Sequence, residues 1–176
     1  MADLVIAHTS ELGLAVRAVA RELLYAVFDD MTEHDWEHCL GGMHALVWEG
    51  TELVGHASVI QRRLLHRGHA LRTGYVEGVA VHPDHRRRGH GATMMAALEG
   101  VARAAYDVAA LGATDEAVAF YTGRGWQPWL GPSSALTPTG VRRTEDDDGA
   151  IYVLRLAVDV DVSEELTCDW RDGDVW

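Results

Sequence analysis

Arg86-Arg87-Arg88-Gly89-His90-Gly91-Ala92 is the stretch whose residue types and spacing could do chemistry most directly. An apolar, β-branched run, Val76 to Val81, precedes it, with a turn at His82-Pro83-Asp84 between the two. A helical pattern follows, in which Met94, Leu98, Val101 and Ala105 recur at spacings of four, three and four, so that they share one helix face. The first amides of a helix have no partners within it and lie at the positive end of the macrodipole. Gly89 and Gly91 carry no Cβ, so a ligand can approach the backbone there. Strand, glycine loop and helix start, with arginines alongside, make a nest for a diphosphate. The loop is neither G-x-x-x-x-G-K-[ST], because no Lys follows the second glycine, nor G-x-G-x-x-G.

A second constellation has the wrong chemistry. His34-Asp35-Trp36-Glu37-His38 spaces two histidines one helical turn apart, as in zinc proteases. That motif needs Glu after the first His and a third ligand. Asp35 is too short, and no third ligand stands at a known spacing, so the segment reads as a wet helix face and no metal is expected.

The elements that must position the loop can be read in order. Val5 to His8 reads as a strand. Ser10 is placed to cap a helix carrying Leu12, Val16, Val19, Leu23 and Val27 on one face. Thr32-Glu33-His34-Asp35 resembles a capping box for a short helix that Gly41-Gly42 stops. His44 to Trp48 and Leu53 to Ile60 read as paired strands, and a turn at His66-Arg67-Gly68-His69 leads to the central strand at Tyr75. Ala109 to Ala113 is a strand, Thr114 and Asp115 start a helix with Phe120 and Tyr121, and Gly123 and Gly125 end it. Trp126 to Leu130 and Ile151 to Val158 close the sheet, across a long connection holding Pro132, Pro138, Gly140 and the acidic run Glu145 to Asp148. The expected class is α+β with mixed α/β character. It has one mixed sheet of about six to seven strands flanked by helices, and an antiparallel meander feeds the strand, loop and helix.

Composition narrows the function. A chain of 176 residues, 48% apolar, suits one domain over 1–176. The net charge of −12 argues against nucleic acid or an anionic membrane as partner and makes the arginine run a local anion site. No apolar run is long enough for a bilayer, and the first residues lack a basic region before an apolar stretch. Cys39 and Cys168 therefore read as free thiols in a cytoplasmic protein.

Arg86-x-x-Gly89-x-Gly91-Ala92, preceded by Val79-Ala80-Val81-His82-Pro83, resembles the coenzyme A pyrophosphate loop of the GNAT acyltransferase superfamily. Ala117-x-x-Phe120-Tyr121-x-x-x-Gly125-Trp126 is similar to that superfamily's late helix and turn, with Thr114 where the family often has Asn. Leu40-Gly41-Gly42-Met43-His44, Ile60-Gln61-Arg62, Gly74-Tyr75-Val76-Glu77, Asp147-Asp148-Gly149 and the terminal Cys168-Asp169-Trp170-Arg171-x-Gly173-Asp174-x-Trp176 resemble the aminoglycoside 2′-N-acetyltransferases. The resemblance covers nearly the whole chain and implies the GNAT fold.

It also implies a set of roles. Acetyl-coenzyme A would be the cosubstrate, held by Val79, Val81, Arg86, Arg87, Gly89, Gly91 and Ala92. An aminoglycoside amine is mostly protonated at neutral pH, so a base must take a proton before it attacks the thioester. Glu77, beside apolar Val76 and Val79, is the implied base, acting through a water, with the α-carboxylate of Trp176 as the second candidate. Tyr121 is the implied acid for the leaving thiolate, and a backbone N–H near Val79 would stabilise the oxyanion. Asp30, Asp35, Glu77, Gly112 through its backbone, Asp147, Asp174 and Trp176 would line the site for the cationic drug. Attack is expected to be direct, in a ternary complex, and a homodimer is expected from the family. Two other readings stand beside this one. The same chemistry could act on another polyamine or a cell-wall amine, or the protein could bind an acyl-coenzyme A or a drug without turnover.

Overall fold

The computed structural model describes residues 2–176. It divides into two compact units: one joins the chain up to Ile60 with Val76–Val101, the other Gln61–Tyr75 with Ala102–Trp176.

In the first unit, strand β1 (Ala2–His8) pairs antiparallel with β2 (Met43–Glu49), and β2 pairs antiparallel with β3 (Glu52–His66) through the turn at Gly50. Helices α1 (Leu14–Val27) and α2 (Glu33–His38) lie between β1 and β2 in the chain. α1 turns Ala20, Leu23 and Leu24 inward against Leu46, Leu53 and Ala80, with Leu12, Trp36 and Cys39 in the same cluster. The expected Ser10 cap is not used. His8 accepts from the Ser10 amide and Glu11 reaches back to the His8 N–H, so 9–11 close a separate 3-10 turn, and α1 starts after Gly13. Val19 is exposed. The capping box of α2 forms as expected: Asp35 accepts from the Thr32 amide at 2.8 Å.

Strand β4 (His69–Val81) follows β3 through Arg67-Gly68. Both residues are left-handed, at φ 49° and 78°, the turn geometry that suits the twist of antiparallel strands. β4 leads through a 3-10 turn at Pro83–His85 to α3 (His90–Ala105). That helix buries Met94, Met95, Leu98 and Ala102, so its inner face is rotated from the expected one and Ala105 is exposed.

In the second unit β5 (Val108–Gly112) pairs parallel with β4 at Thr73–Tyr75 and antiparallel with β9 (Ile151–Arg155). A short helix, α4 (Val118–Thr122), precedes β6 (Gln127–Pro128), which pairs with the other edge of β9. The connection expected to be irregular folds as a hairpin, β7 (Ser133–Thr137) and β8 (Gly140–Arg143), and the tail adds β10 (Leu166–Cys168) between β7 and the end of β3. Among the described residues these short elements bring the strands to ten, against about six to seven expected from the sequence.

Candidate active site

Each unit carries its own set of candidate residues. In the first, β4 carries Glu77, Val79 and Val81, all half-buried. Gly78 between them is left-handed at φ 56° in mid-strand, and a Cβ there would lie 2.7 Å from the Cys39 sulfur. Only glycine takes this backbone with that neighbour at no cost. The irregularity falls beside the strand amides that the sequence assigns to the coenzyme.

The loop after β4 has the shape of an anion nest. Arg87 and Gly89 are left-handed at φ 60° and 87°, which turns successive amides toward one side. The Gly89 carbonyl accepts from Thr93 at 3.0 Å. That leaves the amides of His90, Gly91 and Ala92 as the unsatisfied first turn of α3. A sixteen-residue helix stands behind them. The three arginines differ. Arg86 donates from Nε to the Val81 carbonyl at 3.2 Å, and Arg87 is exposed. Arg88 turns away, donating to Glu49 at 3.3 Å and to the Asp84 carbonyl at 2.9 Å. The backbone and the two remaining guanidiniums fit a diphosphate.

Glu49 also meets His90 at 2.9 Å and His85 at 3.3 Å. Their ligand atoms lie within 4.8 Å of one another, the spacing of a metal site. The Arg88 guanidinium, 3.3 Å from both Glu49 and His85, already supplies the positive charge, and a metal would have to displace it. These contacts hold Glu49 below the usual carboxylate range, against the effect of its desolvation. The His34 side chain of the zinc-like segment lies 3.5 Å from Glu37 on an exposed face.

In the second unit, a cavity of about 280 Å³ is lined by Thr144, Asp146, Asp147, Trp170 and Asp174, among others. Arg143, also on its wall, is paired with Asp148 at 2.6 Å, so its charge is neutralised locally. Burial and the neighbouring Asp174 charge raise the Asp147 carboxyl above its ordinary value. Two carboxylates that repel at the wall of a cavity favour a cation between them.

The tail builds this wall. Trp176 is buried, its indole N–H donates to Thr144 Oγ1 at 2.8 Å, and its amide donates to Asp174 Oδ1 at 3.2 Å. Arg171 donates to the backbone oxygens of Asp174 and Trp176, both at 2.7 Å. Arg62 is 3% exposed and holds the tail from β3, donating to Asp169 Oδ1 at 2.8 Å, to the Asp169 carbonyl at 2.9 Å and to the Val175 carbonyl at 2.8 Å. Its guanidinium also lies 4.7 Å from the centre of the Tyr75 ring. Sequence reasoning gave Arg62 no role. The available signal was an arginine at an inward position of an apolar strand.

Tyr121 is buried on α4, edge-to-face with Trp126 at 6.1 Å. Burial pushes its hydroxyl up to about 12. Gly125, left-handed at φ 90°, closes α4, and the Trp126 amide reaches back to the Tyr121 carbonyl at 3.2 Å, the six-to-one bond of a Schellman cap.

The remaining expected residues divide by surroundings. Gly112 is exposed at the end of β5, and an added Cβ would meet nothing nearer than the Tyr75 hydroxyl at 4.0 Å. Asp30 is exposed after α1. Asp35 is engaged by Thr32, which donates its amide at 2.8 Å and its hydroxyl at 2.7 Å. Asp147, Asp174 and Trp176 come together; Asp30 and Asp35 lie in the other unit. Both cysteines are buried thiols, not joined in a disulfide. Among the described residues no helix is long and apolar enough to cross a membrane.

The chain is 49% identical over 174 residues to an aminoglycoside 2′-N-acetyltransferase of Mycolicibacterium fortuitum, covering 96% of this chain and 89% of that protein. Among solved structures, Escherichia coli ElaA superposes with a TM-score of 0.60 at 22% identity, covering 87% of this chain and 99% of that one. The ribosomal-protein-S18-alanine N-acetyltransferase of Escherichia coli gives 0.58 at 16% identity, covering 89% and 96%. Residues 17–129 match the acetyltransferase (GNAT) domain family, and the chain belongs to that family.

Proposed function

We propose that this protein is an aminoglycoside 2′-N-acetyltransferase, moving the acetyl group of acetyl-coenzyme A to the 2′-amine of the antibiotic and so conferring resistance. The observation that carries this is the 49% identity over 96% of the chain to a relative of that name. The site's own residues suit the chemistry. The left-handed loop at Arg87–Gly89 and the first amides of α3 suit the diphosphate of the coenzyme. Asp147 and Asp174 suit a polycation in the cavity they share.

In this reading Glu77 accepts the proton of the acceptor ammonium, through a water. The freed amine forms the new C–N bond with the acetyl carbonyl carbon. The Val79 N–H stabilises the oxyanion as it forms. The C–S bond then breaks, Tyr121 donates its proton to the leaving thiolate, and the second proton of the attacking nitrogen is shed as the amide forms, returning through water to restore the Tyr121 hydroxyl. Tyr121 remains protonated at neutral pH because burial holds its hydroxyl near 12. Val79, Val81, Arg86, Arg87, Gly89, Gly91 and Ala92 bind the coenzyme, and Asp30, Asp35, Glu77, Gly112 through its backbone, Asp147, Asp174 and Trp176 line the drug site. No covalent enzyme intermediate is needed. The Cys168 thiol, pushed up to about 11 by burial, is a poor nucleophile. One domain, from the chain's length, a cytoplasmic location, from its cysteine usage, and a homodimer, from the family resemblance, are parts of the same proposal.

The test is thiol release from acetyl-coenzyme A with tobramycin or gentamicin, followed by product NMR to locate the acetyl group. Acetylation at the 2′-nitrogen is expected. Turnover only with other amines would replace the acceptor, and no turnover with any amine would leave a binding protein.

A further inference from the structure

The β4 irregularity at Gly78 has a buried support that the reaction scheme does not use. His44 on β2 and His56 on β3 are both fully buried. His56 Nδ1 lies 2.8 Å from the Gly78 carbonyl, His56 Nε2 lies 3.0 Å from His44 Nδ1, and His44 Nε2 lies 2.8 Å from Thr9 Oγ1. A carbonyl can only accept, so Nδ1 of His56 carries a proton. Burial lowers both rings well below the ordinary histidine value, to about 4 for His56 and about 3 for His44. Both are therefore neutral at pH 7, with one N–H each. The directions then follow without choice. His56 Nε2 must accept, so His44 Nδ1 donates to it. His44 Nε2 must accept, so the Thr9 hydroxyl donates to it at 2.8 Å in preference to its longer alternative, the Gly42 carbonyl at 3.2 Å, and itself accepts from the Gly41 amide at 2.9 Å. Every hydrogen bond in the chain points toward Gly78.

Gly78 C=O and Val79 N–H belong to one trans peptide unit and point in opposite directions. Anchoring the carbonyl on the His56 side aims the Val79 N–H the other way. A hydrogen bond to the carbonyl also polarises the amide and strengthens its donor. We infer that Thr9, His44 and His56 form a directional hydrogen-bond relay that orients and polarises the Gly78–Val79 peptide, making the two histidines positioning residues for the acetyl-transfer site. This rests on the proposed acetyl transfer and deepens it, since it assigns what holds the oxyanion donor.

The experiment has two arms. In the first, nitrogen-15 NMR of the full-length protein at pH 7 should show both rings neutral with the proton on Nδ1. His56→Leu and His44→Leu should each move the Val79 amide proton upfield. A proton on Nε2 of either ring, or an unmoved Val79 amide in a folded variant, overturns the relay whatever the substrate proves to be. In the second arm, His44→Leu should lower kcat roughly tenfold to a hundredfold, with KM for acetyl-coenzyme A changed by less than about threefold. His44→Gln, whose amide can still donate to His56, should recover most of that loss. Equal kcat in folded wild type and His44→Leu, or a loss in KM alone, overturns the catalytic part. If no aminoglycoside is acetylated, the proposed acceptor fails while the first arm still reports on the relay.

Discussion

Arg62 Nε donates to Asp169 Oδ1 at 2.8 Å from a side chain that is only 3% exposed, while the carboxylate is 39% exposed. With its bonds to the Asp169 and Val175 carbonyls, one arginine of β3 fixes the segment that carries Asp174 and Trp176. Replacing Arg62 by Ala strands acceptors that are only partly accessible to water. It should cost about 2 kcal/mol of stability, less than the loss of a fully buried pair because Asp169 is partly solvated. The functional loss should appear as a raised KM for the aminoglycoside, at least about tenfold, with acetyl-coenzyme A affinity by calorimetry unchanged. An unchanged aminoglycoside KM would mean that the tail does not form the acceptor wall.

The left-handed Gly78 faces the Cys39 sulfur, and the two should be energetically coupled. Gly78→Ala puts a Cβ 2.7 Å from Sγ on a backbone at φ 56°. Strain and clash together should cost about 2 kcal/mol. Cys39→Ala removes the clashing atom, so the double variant should lose less than the sum of the singles, by about 1 kcal/mol. Urea unfolding of the four proteins measures this. Strict additivity would place the cost wholly in the backbone conformation.

What the sequence shows and what it hides divide along sequence distance. The strand, glycine loop and helix at 76–105 were legible because each signal is local: β-branched run, proline turn, two glycines, helical periodicity. The capping box at Thr32 was legible for the same reason. The start of α1 was not, because a histidine at position 8 caps a separate 3-10 turn at 9–11 and α1 begins after Gly13 without a side-chain cap. The β7–β8 hairpin was hidden by Pro132, Pro138 and Gly140, which break a strand pattern, and by exposure of all of β8. β10 is three residues long and pairs with β3 across about a hundred residues of chain, which no local pattern encodes. Arg62 and the histidine relay were invisible for that reason too: their partners are far away in sequence.

Stability should fall in mild acid, and the sign follows from the two buried rings. Folding lowers His56 to about 4 and His44 to about 3, below the ordinary value near 6.5. The unfolded chain thus binds more protons than the native one below about pH 6.5, and native stability falls as pH falls through the folded values. The contribution is fully present above pH 6.5 and should decline by several kcal/mol in total, on the order of 2 or more per ring, by pH 4. Asp148, held far below the usual carboxylate range by Arg143 first and by Ser133, adds a loss at still lower pH. Urea unfolding between pH 7.5 and 4.5 checks the slope. A flat profile across that window would mean that the rings take up protons in the native state.

Gly91 tests the coenzyme nest without touching the drug cavity. A valine at the second position of α3 adds a branched side chain where the first amides must meet the diphosphate. Gly91→Val should abolish detectable acetyl-coenzyme A binding by calorimetry, a loss of at least about a hundredfold, while the melting temperature changes little, since valine is tolerated in the first turn. Unchanged affinity would move the diphosphate off this loop.

Tyr121 decides whether the leaving group needs an enzyme acid. Its hydroxyl is held near 12 by burial, so it stays protonated throughout the assay range. A coenzyme thiolate is an adequate leaving group, with a thiol value near 8.5, so a proton donor should be worth about 10²-fold in rate rather than more. Tyr121→Phe keeps the ring packed edge-to-face on Trp126 and removes only the oxygen. The variant should lose roughly 30- to 100-fold in kcat, with both KM values within about threefold, and any basic limb of kcat below pH 10 should be the same in both proteins. Those two readings separate a proton donor from a packing residue. A core tyrosine would lose stability without the selective fall in kcat, and an acid of ordinary value would impose a basic limb that the phenylalanine variant lacks.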